Sequence, residues 1–487
     1  MRWVVFAVAF AALPACTKGG SAPDRAGAAV NRIVVGLRPP ITLAKSVAVK
    51  YALADRMAYY KVPGMSIAVV DSGRLIWARG FGVKEAGTTD SVTATTIFQA
   101  ASISKPVSAT AMLKLVEAGK LNLDENVNAY LTSWKVPDNR FTTQHKVTLR
   151  RIVSHSAGLT IHGFPGYKAG DSLPTVPQIL DGKKPANTGP VRVDTTPGVL
   201  WRYAGGGTIV MQLVLMDVTG EPFAATMKRL VLDPVGMSNS TYEQPLPEAR
   251  RTAAAAAHEA DGTMTPGRWH TYPEQAAAGL WTTATDLLKW AMSIASSREP
   301  AGTGILTRDM AEQMLTVQKA PVGLGPFLEG SGKGFHFGHG GSNRGFRCEL
   351  IYFPETRQGA AVMTNAEQGS GLTAEVLYAI AAEYGWVGYG PREITPIAMD
   401  STALQPFVGT FVTKGLPFTI EIEMSRVGTK LFAEAKGLVP RSEVVFTAAN
   451  EAVIVESGNG LKFLSGAGGA INAVEIGGLK MSRKAPK

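Results

Sequence analysis

The chain contains very little cysteine: Cys16 and Cys348 are the only two in 487 residues. Two thiols exclude a disulfide-stapled scaffold and a zinc site built from cysteine ligands. Charged residues make up 18% of the chain and hydrophobic residues 45%, a balance typical of globular proteins and not of disordered ones. The 53 glycines predict many tight turns, but they have no periodic spacing, which excludes a collagen-like or low-complexity chain.

The sequence also lacks a basic stripe, although its net charge is +10. Lysine and arginine are dispersed along the chain, and the densest run, Arg483-Lys484 with Lys487, lies at the C-terminus. We interpret that run as a solvated tail. Nucleic-acid binding is therefore not expected.

The first residues have the pattern of an export signal. A short basic start, Met1-Arg2, precedes an apolar run over residues 3–13, which is too short for a bilayer because a spanning helix needs about 20 residues. Residues 13–16 resemble a bacterial lipoprotein cleavage box, in which Cys16 becomes the lipidated first residue. Ordinary signal cleavage nearby is the alternative. Both interpretations predict export to the periplasm or cell envelope, with an anchor in a bacterial membrane if Cys16 is modified.

The rest of the chain predicts an α+β domain followed by a smaller β domain. Residues 17–40 are polar and contain glycine and proline, which predicts a tether after a signal over residues 1–16. The next domain is expected over residues 41–392, with an amphipathic helix near 46–60 at its start. Strand-like hairpins at both ends of that domain, with helices between them, predict an antiparallel sheet that joins its N- and C-terminal segments.

After Pro391 the pattern changes to short alternating runs. From residue 404 to the end, these runs are broken by glycine every 8 to 12 residues or so, a spacing typical of a small all-β sandwich or barrel. The sequence therefore predicts a separate β domain over residues 404–487.

Ser102 and Lys105 lie three residues apart at the start of a predicted helix. Such a pair projects to one face, so the amine can reach the hydroxyl and act as its base. Backbone N–H groups at a helix start can also stabilise an oxyanion. A Ser-x-x-Lys pair is a weak motif by itself, because a capping serine followed by an exposed lysine has the same spacing.

Several segments in order along the chain resemble the serine β-lactamase and penicillin-binding-protein family, in particular its class C β-lactamase, D-alanyl-D-alanine carboxypeptidase and esterase branch. The segments that carry the resemblance are Phe98-Gln99-Ala100-Ala101-Ser102-Ile103-Ser104-Lys105, Trp201-Arg202-Tyr203-Ala204-Gly205-Gly206-Gly207 and His339-Gly340-Gly341-Ser342. The resemblance extends over about residues 45 to 390. It implies a β-lactamase/transpeptidase-like fold with an antiparallel sheet, flanking helices and a helical subdomain. The segment after residue 404 resembles the lipocalin-like β-barrel that some members carry.

The resemblance also implies roles for individual residues. Ser102 would be the nucleophile that forms an acyl-enzyme, Lys105 its hydrogen-bonded amine, and Tyr203 the shared base and acid. The backbone N–H groups of Ser102 and Ser342 would form the oxyanion hole. The segment of His339, Gly340 and Gly341 would contact the substrate, and neither a cofactor nor a metal is needed.

Two positions depart from the family pattern. Gly205 stands where the branch has an asparagine that holds the substrate amide, and His339 stands where it often has a lysine that attracts a carboxylate. Glycine has no side chain for the first task, and a histidine that is mostly neutral at pH 7 performs the second poorly. Arg344 is a candidate substitute for the missing cation, or else a surface hairpin arginine. These departures favour an esterase-like enzyme.

The leading hypothesis is an exported serine hydrolase whose partner is a small-molecule ester, amide or peptide substrate. A D-alanyl-D-alanine carboxypeptidase or aminopeptidase and a class C-like β-lactamase are the alternatives among enzymes. A non-catalytic penicillin-binding-type sensor is the alternative from another class. His155 is expected to be a hydrogen-bonded scaffold residue, and Cys348 a small buried side chain. The sequence leaves the oligomeric state open.

Overall fold

The computed structural model describes residues 22–47, 49–413, 420–435, 439–466, 469–476 and 479–485. The predicted signal segment and Cys16 lie outside these ranges. The helices are α1 (Ala22–Val34), α2 (Leu53–Tyr59), α3 (Ser104–Glu117), α4 (Leu149–Val153), α5 (Val176–Asp181), α6 (Gly205–Thr219), α7 (Phe223–Met227), α8 (Asp233–Val235), α9 (Glu248–Arg251), α10 (Gln275–Ala278), α11 (Ala284–Ser296), α12 (Arg308–Met314), α13 (Gly369–Tyr384) and α14 (Ser401–Leu404).

The strands are β1 (Ile41–Leu43), β2 (Gly64–Asp71), β3 (Arg74–Gly82), β4 (Phe98–Gln99), β5 (Trp281–Thr282), β6 (Phe327–Glu329), β7 (His336–Asn343), β8 (Phe346–Phe353), β9 (Gln358–Thr364), β10 (Arg392–Ile394), β11 (Gly409–Thr413), β12 (Glu421–Val427), β13 (Lys430–Ala435), β14 (Val439–Ala448), β15 (Glu451–Ile454), β16 (Gly460–Ser465), β17 (Ile471–Ile476) and β18 (Leu479–Arg483).

A six-stranded antiparallel sheet in the order β3-β2-β9-β8-β7-β6 organises the first domain. The prediction that N- and C-terminal segments share one sheet is confirmed, because β2 pairs with β9 over Met65↔Thr364 to Val70↔Gly359. The β2–β3 hairpin turns at Ser72 and Gly73, whose φ angles of 52° and 74° are both left-handed. Positive φ at both central residues is the geometry of a tight two-residue hairpin turn.

Helices cover both faces of this sheet. On one face α1, α2 and α13 pack over the sheet and share a core with alternate residues of β2, β8 and β9. On the other face α3, α6 and α11 belong to the larger core, which contains the remaining alternate residues. Because side chains alternate between the two faces of each strand, the sheet contributes residues to two separate cores. The predicted α+β fold with an antiparallel sheet flanked by helices is confirmed.

The prediction of a tether over residues 17–40 is wrong for residues 22–34, which form α1. Val30 and Ile33 are buried in the core that α13 shares, and Arg32 donates hydrogen bonds to Glu383 of α13. The polar composition concealed a narrow apolar stripe with helical spacing, and that stripe becomes stable only when it packs against another helix. In the described part of the chain, no helix has the length and apolar character to cross a membrane.

The helix predicted near residues 46–60 is shorter than expected, because α2 covers only Leu53–Tyr59. Before it, Tyr51 exchanges backbone hydrogen bonds with Leu37, which holds this stretch extended. Val47, which the predicted helix would have included, is exposed and lies outside α2. A pairing partner fourteen residues earlier in the chain therefore overrides the local helical pattern.

The C-terminal segment forms a closed eight-stranded barrel. Each of β11 to β18 pairs antiparallel with its sequence neighbours, and β11 pairs with β18 to close the barrel. Alternate strand residues such as Phe411, Phe446 and Phe463 fill the interior. Between the two parts of the chain, β10 pairs parallel with β1. The predicted small β-barrel is confirmed.

Candidate active site

Ser102 lies in a 3-10 turn, Ala101–Ile103, that leads directly into α3. Ala101 has a φ of 48°, a left-handed conformation that a residue with a Cβ rarely adopts. The turn is held by Ser104, whose Oγ donates to the carbonyl oxygen of Ala101 at 2.5 Å and accepts from the N–H of Leu280 at 3.0 Å. A strained backbone at this position is over-determined by its surroundings, as is common at functional sites.

Lys105 is buried and contacts the candidate nucleophile directly. Its Nζ donates to Oγ of Ser102 at 2.9 Å and to the carbonyl oxygen of Ala277 at 2.9 Å. The second bond fixes the amine from α10, an element far away in sequence. The i, i+3 spacing thus brings amine and hydroxyl together as predicted, and tertiary contacts hold the amine in place.

Tyr203 joins this pair from the segment just before α6. The Nζ of Lys105 lies 5.0 Å from the centroid of the Tyr203 ring. The ring of His155 lies against that of Tyr203, with centroids 4.3 Å apart, and the Nδ1 of His155 accepts from the N–H of Ala204 at 3.2 Å. Burial and the nearby positive charge of Lys105 hold the pKa of His155 well below its usual value. His155 is therefore neutral and hydrogen-bonded to the backbone beside Tyr203, and its role as a scaffold residue stays a prediction.

Strand β7 passes close to the Ser102 turn. A Cβ at Gly341 would lie 2.3 Å from the carbonyl oxygen of Ala100, so only glycine allows this approach. Cys348 on β8 is buried, and its thiol donates to the same oxygen at 3.1 Å. Asn343 at the end of β7 donates to Oε1 of Gln99 at 2.7 Å. These contacts lock β7 against the nucleophile segment.

His339 faces the same side of the sheet as Gly341 and is buried. Its Nδ1 lies 2.5 Å from the carbonyl oxygen of Gly340, while Nε2 is buried without a hydrogen-bond partner among the described residues. Burial and the charge of Lys105 lower the pKa of His339 to about 3. This histidine is neutral at pH 7, so it supplies no cation for a substrate carboxylate.

Two of the predicted substrate-binding residues lie outside this cluster. Gly340 pairs with Glu349 of β8 and faces the opposite side of the sheet, where a Cβ would lie 2.8 Å from Oε2 of Glu349. Arg344 lies in the turn after β7, and its Nε donates to Oε1 of Glu259 at 2.9 Å. Its charge is therefore already compensated. Ser342 alternates with Gly341, so its side chain is exposed on the opposite side of β7; the oxyanion-hole role of its backbone N–H stays a prediction.

Gly205 is the first residue of α6, and an aromatic ring lies next to its Cα. A Cβ at Gly205 would lie 2.9 Å from Cε2 of Phe164. The next residue, Gly206, lies against backbone: a Cβ at this position would be 2.4 Å from the carbonyl oxygen of Thr160. A side chain at Gly205 would therefore require the ring of Phe164 to move.

Aromatic side chains that the sequence did not mark as part of the site surround it. Phe327 on β6 stacks nearly parallel to Tyr203, with centroids 6.5 Å apart and planes 7° apart, and lies 4.9 Å from the ring of His339. Trp201 contacts Phe327 at 6.4 Å. No local motif marks Phe327; the proximity of Trp201 to Tyr203 in the sequence was the one available signal.

Comparisons with known proteins agree with this geometry. The family model described as Beta-lactamase matches residues 49–384. Penicillin-binding protein 4 of Amycolatopsis lactamdurans is 25% identical over 373 residues, which cover 73% of this chain and 94% of that protein. D-aminopeptidase of Brucella anthropi is 24% identical over 351 residues, which cover 70% of this chain and 63% of that protein. Esterase EstB of Burkholderia gladioli is 24% identical over 312 residues, which cover 57% of this chain and 75% of that protein.

Solved structures show the same fold. The octameric penicillin-binding protein homologue from Pyrococcus abyssi superposes with a TM-score of 0.57 at 21% identity, and the match covers 88% of this chain and 98% of that one. The family match alone spans well over half of the sequence and contains the Ser102 turn, Tyr203 and β7. The chain therefore belongs to the beta-lactamase family of serine hydrolases.

Proposed function

We propose that this protein is an exported, esterase-like serine hydrolase that acts through an acyl-enzyme on Ser102. The observation that carries the proposal is the buried Lys105 amine, hydrogen-bonded to Ser102 Oγ at 2.9 Å beside a neutral His339. The first half of that arrangement activates a nucleophile. The second half means that His339 supplies no cation for the carboxylate that β-lactams and D-alanyl peptides carry.

In the proposed mechanism, Ser102 Oγ attacks the ester carbonyl carbon and its proton passes to the Lys105–Tyr203 unit. The tetrahedral oxyanion accepts hydrogen bonds from the backbone N–H groups of Ser102 and Ser342. The bond between the carbonyl carbon and the alcohol oxygen then breaks, and Tyr203 returns the proton to the leaving alkoxide. A water molecule attacks the acyl-enzyme by the same route, which releases the acid and restores Ser102.

Three features favour an ester over an amide or a β-lactam. The ring of Phe164 lies beside Gly205, the charge of Arg344 is paired with Glu259, and His339 is neutral. An alkoxide also leaves more readily than an amine, so an ester makes smaller demands on the acid. The similarity to an esterase supports the same choice. Export is proposed from residues 1–16, with Cys16 as the lipidation site.

The nucleophile is tested with a fluorophosphonate probe and a fluorescent penicillin, each applied to wild type and Ser102→Ala. We expect the fluorophosphonate to label wild type and not the variant, with equal circular dichroism for both proteins. Ser457→Ala, an exposed serine of the barrel, is the control and should label like wild type. Undiminished labelling of Ser102→Ala would refute the assignment, and labelling of wild type by neither probe would favour a non-catalytic binding protein.

Substrate preference is tested by comparing kcat/KM for a short-chain activated ester, a reactive cephalosporin and a D-alanyl-D-alanine peptide at pH 7 to 8. Loss of one polar contact in the transition state costs about 1–3 kcal/mol, or roughly 5- to 150-fold. We therefore expect the ester to be preferred by at least about tenfold. A better rate with the cephalosporin, or with a D-alanyl-D-alanine peptide, would support the β-lactamase or carboxypeptidase alternatives.

A further inference from the structure

The segment just before Tyr203 exposes three consecutive large apolar side chains. Val199, Leu200 and Trp201 are 57%, 55% and 38% exposed. Single exposed apolar residues are ordinary, but a contiguous group beside a functional site indicates a contact surface. A fourth exposed residue, Val317, lies in the neighbouring segment, whose Lys319 donates to the carbonyl oxygen of Gly198 at 3.2 Å.

The exposed group is continuous with the catalytic residues through aromatic contacts. Trp201 contacts Phe327 at 6.4 Å, and Phe327 in turn stacks on Tyr203 at 6.5 Å and on His339 at 4.9 Å. His155 also lies 6.5 Å from Trp201. Ring contacts therefore connect the exposed Trp201 to the Tyr203 ring through Phe327.

The one cation within this segment is directed away from the apolar surface. Arg202 donates to the carbonyl oxygens of Gly158 and Leu159 at 3.2 Å each and forms an ion pair with Asp194. Its charge is thus compensated and its orientation fixed. Val199, Leu200 and Trp201 thus offer exposed hydrocarbon surface beside the site, which suits an uncharged hydrocarbon group better than an anionic one.

From these contacts, and on the basis of the proposed function, we propose that Val199, Leu200, Trp201 and Phe327 form a subsite for an apolar leaving alcohol. The group that protonates the leaving oxygen must lie within hydrogen-bond reach of it. Tyr203 protonates the leaving oxygen in the proposed mechanism. The hydrocarbon group attached to that oxygen therefore extends past the rings next to Tyr203. The occupant is therefore the alcohol of the ester and not its acyl group.

The test uses the full-length protein and two matched series of esters below their solubility limits. One series keeps the acetyl group and lengthens the alcohol from ethyl to hexyl; the other keeps the ethyl group and lengthens the acyl chain. Four added methylenes, even partly buried, should raise kcat/KM for hexyl acetate over ethyl acetate by at least about tenfold. The acyl series should change by less.

Two variants report on the subsite itself. Leu200→Ser and Trp201→Ala should each lower the hexyl-to-ethyl ratio by at least about fivefold. The ratio is measured within one protein, so a partial loss of folded enzyme does not change it. Val427→Ser, a 58% exposed apolar residue on the barrel, is the matched control and should keep the wild-type ratio.

The outcomes separate this inference from the proposed function. Hydrolysis of all the acetates with a flat alcohol dependence would refute the subsite and leave the esterase proposal standing, whereas no turnover of any ester would refute the esterase proposal itself. A preference in the acyl series alone would also refute the assignment to the alcohol. If the ratio is flat but Leu200→Ser reduces cosedimentation with phosphatidylglycerol vesicles, the surface is a bilayer contact and the inference is wrong.

Discussion

The ring of Phe164 occupies the space that a side chain on Gly205 would need. A Cβ at Gly205 would lie 2.9 Å from Cε2 of Phe164, and 3.3 Å from the carbonyl oxygen of His162. An asparagine at this position, which the family resemblance leads one to expect, would therefore have to compete with the Phe164 ring for space.

This relationship predicts the outcome of restoring asparagine. Gly205→Asn should lower the free energy of unfolding by about 1–3 kcal/mol, because the new side chain overpacks against Phe164. Gly205→Asn with Phe164→Ala should recover most of that loss and raise kcat/KM for an amide relative to an ester. Urea unfolding and the two rates provide the measurements. Equal stability of wild type and Gly205→Asn would contradict the packing argument.

His155 is expected to position the Tyr203 segment. His155→Phe keeps a ring against Tyr203 but removes the acceptor for the N–H of Ala204, and an unsatisfied buried N–H costs about 1–3 kcal/mol. The acylation rate, followed with the fluorophosphonate, should fall together with stability. His155→Asn should retain more of both, because asparagine has an acceptor and tolerates the φ of 54° found here. Equal behaviour of the two variants would argue against the hydrogen bond.

Lys105 and Tyr203 should act as one proton-transfer unit. Lys105→Ala and Tyr203→Phe are each expected to reduce the acylation rate by about 100-fold or more, and the double variant should be little worse than the slower single one. Rates of acyl-enzyme formation under single-turnover conditions provide the comparison. Multiplicative losses would mean that the two residues contribute independently.

The close approach of β7 to the nucleophile turn predicts a strict need for glycine. Gly341→Ala places a methyl group 2.3 Å from the carbonyl oxygen of Ala100, so β7 must move and kcat should fall by about 100-fold or more. Gly340→Ala is the matched control, since its methyl meets only the carboxyl end of the Glu349 side chain on the opposite face and no backbone atom. Similar losses in both variants would indicate a general disturbance of the strand.

Glu274 gives a pH-dependent prediction for stability. Both carboxyl oxygens are buried without a hydrogen-bond partner among the described residues, and burial raises the pKa to about 7. The folded protein thus keeps a proton that the unfolded chain loses near pH 4.5, so the stability from this group declines as pH rises from 4.5 to 7. The decline is about 1.4 kcal/mol per pH unit.

Glu274→Gln removes this titration. The stability difference between variant and wild type should therefore shift in favour of the variant between pH 5 and pH 7.5, as measured by urea unfolding at several pH values. Glu423→Gln, at an exposed position on β12, serves as the control and should show no such shift. A difference that stays constant over this range would mean that Glu274 is already ionised in the folded protein.

The sequence by itself determined the features that depend on local spacing. A spacing of three positions places Ser102 and Lys105 on one helical face, and the pattern of residues 65–78 requires a hairpin. Alternating runs after residue 404 likewise predicted the barrel, because period-two patterning fixes which side of a strand is buried. The motif around Tyr203 was also visible, since its residues are contiguous.

Tertiary structure alone decided what surrounds these motifs. Phe164 and Phe327 reach the site from segments with no motif, and α1 forms because α13 covers its apolar stripe. The lowered pKa of His339 depends on burial and on the charge of Lys105, which lies more than two hundred positions earlier. Such effects arise from distances between segments far apart in the chain. Local spacing can specify a nucleophile and its amine, but burial, steric fit and electrostatics at the site exist only once the fold brings those segments together.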